Sequence, residues 1–75
     1  MDHETKVRVL KQIVDEASFR IMKGELTKSE GEALIERVRN QARLLLPDHM
    51  ERFDLIYQSR LLRLIEQFAH QDTLA

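Results

Sequence analysis

The stretch KGELTKSEGEALIERVRNQARLLLPD, from Lys23 to Asp48, contains both the beginning and the end of one amphipathic helix. Gly24 tolerates the left-handed backbone that ends many helices, so it closes the helix before it. Thr27 and Glu30 form the T-x-x-E pattern of a capping box, in which each side chain accepts a hydrogen bond from the other residue's backbone N–H. The only proline of the chain follows and cannot continue the helix. The stretch therefore predicts a helix over residues 28–45.

Apolar residues recur within this helix at steps of three and four, and charged residues occupy the opposite side. The apolar stripe consists of Gly31, Ile35, Val38, Ala42 and Leu45, flanked by Leu34 and Leu46. Ser29 and Glu32 offer a second capping box two residues later. The first residue of the helix is therefore predicted only to within about half a helical turn. Gly31 costs about 1 kcal/mol relative to Ala inside a helix. It indicates either tolerance in the first turn or a close approach of another backbone.

The same periodicity predicts a helix on each side of the middle one. Before it, apolar residues step by three and four over residues 4–22. After it, Asp48 and Glu51 form another capping-box pattern behind Pro47, and a helix is predicted over residues 48–69. The short links favour helices that pack as sequence neighbours, either up-down-up or with one helix splayed. We therefore expect an all-α fold, a small three-helix bundle.

Length and composition narrow the class of protein. Seventy-five residues make at most one domain, in a size range where a single core is marginally stable. The absence of cysteine excludes disulfides and thiolate metal sites. A formal net charge of −1 argues against a protein that coats nucleic acid or an anionic membrane. The first residues, MDHETK, are acidic and polar, and no apolar run approaches the roughly 20 residues of a membrane span. We expect one cytoplasmic domain over residues 1–75, frayed over residues 71–75.

Several apolar residues fall outside the three core stripes. Helix three carries a second ridge of Leu55, Leu62 and Ala69 at steps of seven, which makes its apolar arc unusually wide. Phe19 and Leu44 likewise lie off the stripes of their own helices. Surplus apolar surface of this kind favours a homodimer whose interface completes the core, or an unknown protein partner. Four residues are the predicted contacts: Phe19, Leu44, Leu55 and Leu62.

No pattern of residues predicts catalysis. The three histidines lack any spacing that would place two ligands on one helix face, and no Gly-rich phosphate loop or Ser-centred elbow occurs. We therefore expect no enzymatic activity, metal, cofactor or small-molecule substrate. Asp54 is the one polar residue within the apolar arc of helix three. It is either an acid/base group or binding anchor with a raised pKa, or, the favoured interpretation, a packing residue paired with a Lys, an Arg or a helix N-terminus.

Positive charge is concentrated in the later part of the chain. Residues 37–63 contain six Arg and three acids, whereas residues 1–36 contain six basic and eight acidic residues. Arg52, Arg60 and Arg63 share an outer face of helix three on a helical wheel and could contact nucleic-acid phosphates. Stacking aromatics and a helix-turn-helix pattern are missing from that face. The sequence thus favours a homodimeric protein–protein interaction module, with weak binding to a nucleic-acid backbone as the alternative.

Overall fold

Three helices account for most of the chain in the computed structural model, which describes residues 2–71. The first two, α1 and α2, are His3–Met22 and Lys28–Leu45. The third helix, α3, covers residues 47–68 in four consecutive segments: a 3₁₀ turn Pro47–His49, an α-helical turn Met50–Phe53, a π turn Asp54–Gln58 and an α-helix Ser59–Phe68. The all-α prediction is confirmed, and every helix end lies within one residue of its predicted position.

The ends of α1 and α2 are formed by the residues that the sequence indicates. Asp2 caps α1 by accepting a hydrogen bond of 2.8 Å from the backbone N–H of Thr5, and this bond lowers the pKa of the Asp2 carboxyl. Gly24 follows α1 with φ of +73°. The capping box of α2 is complete: Thr27 Oγ1 accepts from the Glu30 N–H at 3.1 Å, and Glu30 Oε1 accepts from the Thr27 N–H at 2.9 Å. Local sequence therefore determines both ends of the first link.

The capping box predicted from Asp48 and Glu51 does not form, and that prediction is wrong. The 3₁₀ turn begins at Pro47, so Asp48 lies inside the turn rather than before it. The N-cap position is occupied by Leu46, whose side chain has no acceptor, and no side-chain cap forms at His49 before the following α-helical turn. The fixed φ of the proline, instead of a side-chain acceptor, starts α3.

Contacts at the two ends of the bundle define its topology. At one end the His3 and His49 rings meet edge to face, with centroids 5.1 Å apart. At the other end His70 N–H donates to the Leu26 carbonyl at 2.8 Å, and Lys28 N–H donates to the His70 carbonyl at 2.7 Å. Thus α1 and α3 run in the same direction and α2 runs against them. Each helix packs on the other two, which is the up-down-up alternative.

The core is apolar and draws on all three helices. Its buried members among the described residues are Leu10, Val14, Ala17, Ile21, Leu34, Ile35, Val38, Ala42, Leu46, Phe53, Leu61 and Ile65. Within residues 2–71 no polar side chain is buried, and no buried side-chain nitrogen or oxygen lacks a hydrogen-bond partner. A bundle of this size therefore completes a core of its own without the surplus apolar residues.

The π turn Asp54–Gln58 keeps α3 in register with that core. An α-helix rotates about 100° per residue, so side chains four residues apart drift by about 40° at every step. Phe53, Leu61 and Ile65 are buried although they are separated by eight and four residues. A π turn holds one extra residue and cancels most of the accumulated drift. Inside the altered turn, the Ser59 hydroxyl donates to the Asp54 carbonyl at 3.3 Å.

Candidate interaction surfaces

The four predicted contact residues are all exposed, on three different helices. The exposed fractions are 84% for Leu44, 73% for Leu55, 61% for Phe19 and 42% for Leu62. Phe19 and Leu44 lie near the carboxyl ends of α1 and α2. Because these helices are antiparallel, the two side chains lie towards opposite ends of the bundle, so they do not form one compact patch on a single molecule.

The second ridge of α3 is interrupted by the π turn. Residues seven apart share a face only in an uninterrupted α-helix. Leu55 lies within the π turn and Leu62 lies after it, so the extra residue rotates one away from the other by most of about 100°. Leu62 borders a shallow depression on the α2 side of α3, next to Arg39 and Asp54. Ala69 follows the end of α3 in extended backbone.

Phe19 presents its ring on the outer surface of α1. The Lys23 ammonium lies 4.9 Å from the ring centroid, at a distance where a cation is attracted to the π face. Asp15, Glu16 and Arg20 surround the ring. An apolar side chain with a rim of both charges resembles the polar-rimmed patches found in transient protein interfaces.

Asp54 is paired with an arginine of α2. Arg39 Nε donates to Asp54 Oδ1 at 3.0 Å, and Arg39 Nη2 donates to Asp54 Oδ2 at 3.1 Å. This two-pronged hydrogen bond lowers the pKa of the Asp54 carboxyl and raises the pKa of the Arg39 guanidinium. The favoured interpretation, pairing with a basic residue, is confirmed. The alternative, an acid/base group or binding anchor with a raised pKa, is contradicted, because the hydrogen bonds from Arg39 lower the pKa of Asp54.

The three arginines predicted to contact an anion are exposed, but the π turn divides them. Arg52 precedes the turn and borders a groove between α1 and α3. Arg60 and Arg63 follow the turn and do not line that groove. None of the three guanidinium groups forms a salt bridge or hydrogen bond with another residue in the described part of the chain. Their guanidinium groups therefore remain available to an external anion or carboxylate.

Two features of these surfaces escaped sequence reasoning. The His3–His49 contact joins residues 46 positions apart in the sequence, and no local sequence pattern predicts it. The pairing of Arg39 with Asp54 also depends on tertiary packing. The π turn, by contrast, has a signal in the sequence: Phe53, Tyr57, Leu61 and Ile65 repeat at uniform steps of four, which a regular helix cannot keep on one face.

Two further features are absent from the described residues. Over residues 2–71 the helices are too short or too polar for any of them to cross a membrane. Nor do three or more His, Cys, Asp or Glu side chains converge there as a metal ion would require. No protein family model, curated protein or solved structure shows significant similarity to this chain.

Proposed function

We propose that the protein is a helical protein–protein interaction module that self-associates as a homodimer and acts by association rather than by catalysis. The observation that carries this proposal is the exposure of Leu44, Leu55 and Phe19, each more than half open to water. Their burial is not needed by the core, which is already closed by other residues. Burying such side chains against a partner releases roughly 25 cal/mol for each Å² of apolar surface removed from water.

A two-fold dimer accounts for the placement of these side chains. In an isologous interface, residue i of one subunit contacts residue j of the other, and the reverse. Phe19 and Leu44 lie towards opposite ends of the bundle, so two bundles packed side by side in opposite directions would place Phe19 of one subunit and Leu44 of the other at the same end of the dimer. A stable interface buries about 800 Å² per subunit. That area is roughly a seventh of the 5498 Å² surface of the chain.

Sedimentation equilibrium of the wild type and of the Leu55→Gln/Leu62→Gln variant tests the proposal. The wild type should sediment as a dimer, and the variant should dissociate at least tenfold more readily, because apolar surface is removed from the interface. Helical circular dichroism should persist, since both side chains lie outside the buried core. Because the π turn rotates them apart, the two single variants would show which side chain lies in the interface.

The matched control is Arg60→Gln/Arg63→Gln, which changes two exposed side chains of the same helix without removing apolar surface. It should leave the dissociation constant of the dimer unchanged to within a few fold. A wild type that remains monomeric at every concentration would rule out the homodimer. The exposed apolar residues would then be expected to bind a different protein. Loss of helicity in the Leu55 and Leu62 variant would show that these residues belong to the core.

Weak binding to a nucleic-acid backbone is a second candidate. It is supported by Arg52, Arg60 and Arg63, which are exposed and have no acidic partner among residues 2–71. Retention on DNA or RNA should then fall steeply with salt, and each Arg→Gln substitution should reduce the slope of that dependence by about one. Absence of retention at low salt would eliminate this candidate.

A further inference from the structure

A groove separates the first turns of α1 from the first half of α3. Its cavity volume is about 210 Å³. The walls are apolar and are contributed by Val7, Leu10, Leu46, Phe53 and Ile56. Leu10, Leu46 and Phe53 are core residues, so the floor is part of the fixed core and not a mobile surface. A concave apolar site with a fixed floor is the general form of a small-molecule site.

The polar groups at the groove are basic or neutral. His3, His49, Arg52 and Tyr57 line it, and no Asp or Glu does. The Arg52 guanidinium and the Tyr57 hydroxyl make no hydrogen bond with any other residue of the described range 2–71. A guanidinium offers five N–H donors in a planar fork that matches a carboxylate. An apolar cavity with one free guanidinium at its edge is therefore complementary to a molecule that is apolar at one end and anionic at the other.

We propose that this groove binds a small apolar carboxylate, with its hydrocarbon part against Val7 and Phe53 and its carboxylate at Arg52. The cavity volume of about 210 Å³ lies below the roughly 300–1,000 Å³ of most small-molecule pockets, so only a small ligand would fit. A ligand of roughly seven to ten non-hydrogen atoms matches that volume, which corresponds to a six-carbon fatty acid or a simple aromatic acid. The groove lies within one bundle, so this proposal does not depend on self-association.

Titration with hexanoate, followed by methyl NMR of the whole chain, tests the proposal. The Val7, Leu10 and Ile56 methyl signals should shift saturably, whereas the Leu44 methyls, on a residue outside the groove, should not. Hexan-1-ol keeps the chain and removes the charge, and acetate keeps the charge and removes most of the chain. Each should bind at least fivefold more weakly than hexanoate, because each keeps only one of the two complementary parts.

The matched variants are Arg52→Gln, at the groove, and Arg60→Gln, on the same helix outside it. Both side chains are exposed, so neither substitution should disturb folding. Arg52→Gln should weaken hexanoate about fivefold to tenfold through loss of a charge-assisted hydrogen bond, and Arg60→Gln should leave the affinity unchanged. If both variants weakened hexanoate binding equally, the loss would reflect the overall positive charge of the protein and not a contact with Arg52. That result would overturn the proposal.

Two further results would also overturn it. One is the absence of saturable shifts at the groove methyls. The other is equal affinity for hexan-1-ol and hexanoate, which would leave no role for Arg52. If Ile56→Gln abolished dimerisation while hexanoate failed to bind the wild type, a second copy of the chain would be the occupant of the groove. That result would contradict the ligand proposal while supporting homodimerisation, so failures of the two proposals are distinguishable.

Discussion

Asp54 shows how one charged residue can occupy an apolar stretch of helix without being isolated. Its position in α3 faces α2, where Arg39 supplies two hydrogen bonds, at 3.0 and 3.1 Å. Both side chains are partly exposed, with exposed fractions of 38% for Asp54 and 27% for Arg39. Exposed and partly exposed ion pairs generally add little free energy. The geometry is nevertheless specific, because a planar fork meeting a planar carboxylate fixes the relative position of two helices.

The ion pair gives a defined dependence of stability on pH. The folded state depresses the pKa of Asp54 below its ordinary value of 3.8, so the unfolded state binds a proton first as the pH falls. The stabilisation is therefore complete above about pH 5, declines below the ordinary pKa, and is lost as the pH falls through the folded-state pKa. Asp54→Asn should lower the urea midpoint at neutral pH, and the gap from wild type should close below about pH 4. Urea titrations across this range measure that gap.

Asp48→Asn is the control for this experiment. Asp48 is an exposed aspartate of α3 whose side chain makes no hydrogen bond or ion pair with the other described residues. Its substitution should change the midpoint little at neutral pH. A gap between wild type and Asp54→Asn that stays constant down to low pH would show that the ionised carboxylate is not what stabilises the fold.

At the scale of the helices, α2 and α3 are in close contact at Gly31. A Cβ atom placed there would lie 2.9 Å from Ile65 Cδ1 and 3.0 Å from Ile65 Cγ1. The sequence left two interpretations open for this glycine, tolerance in the first helical turn or a close approach of another backbone. Gly31 does lie in the first turn of α2, and what approaches it is the Ile65 side chain, not a backbone. The absence of a side chain at Gly31 thus makes room for Ile65, which is buried.

Gly31→Ala should lower the free energy of unfolding by about 1 kcal/mol. The gain in helix propensity, up to about 1 kcal/mol, is exceeded by an overpacking cost of about 1–3 kcal/mol. In an Ile65→Val background the nearest atom is missing, so the same substitution should become neutral or stabilising. A cycle of four variants, measured by urea denaturation, gives the coupling free energy. Additive effects would mean that the two helices separate slightly to admit the methyl group.

Sequence periodicity predicted the helices well because burial of an apolar stripe is a local pattern repeated over many residues. Thr27, Glu30 and Gly24 act within a few residues of themselves, and their roles followed from the sequence. The ridge of Leu55 and Leu62 was inferred on the assumption of uniform helical rotation. The π turn violates that assumption, since tertiary packing of Phe53 and Ile65 on one core selects a locally less common turn.

At the scale of the molecule, the contacts between distant parts of the chain could not be predicted. The groove beside Arg52 exists because α1 and α3 run in the same direction, which brings His3 close to His49. The helical pattern is equally compatible with a splayed third helix, for which that groove would not exist. The exposure of Phe19, Leu44, Leu55 and Leu62 could be predicted from the helical wheels, whereas that of Phe68 could not. The distribution of these residues over opposite ends of the bundle follows only from the topology.

Self-association has a thermodynamic consequence for the whole molecule. When a dimer dissociates as it unfolds, its thermal midpoint increases with protein concentration. From the average unfolding entropy per residue, a chain of this length should gain about 4 °C for each tenfold increase. Calorimetry of the wild type should show this shift, and the Leu55→Gln/Leu62→Gln variant should show much less. A concentration-independent wild-type midpoint would contradict a dimer that persists up to unfolding.

The pair of backbone hydrogen bonds between residues 26–28 and His70 closes the bundle beyond the end of α3. The His70 amide lies outside any helix, and its N–H is bonded only to the link between the other two helices. Its proton can exchange with solvent deuterium only when that tie opens. The Lys28 amide depends on the same tie through the His70 carbonyl. The exchange rates of these two amides therefore report how often the end of α3 separates from the link and from the start of α2.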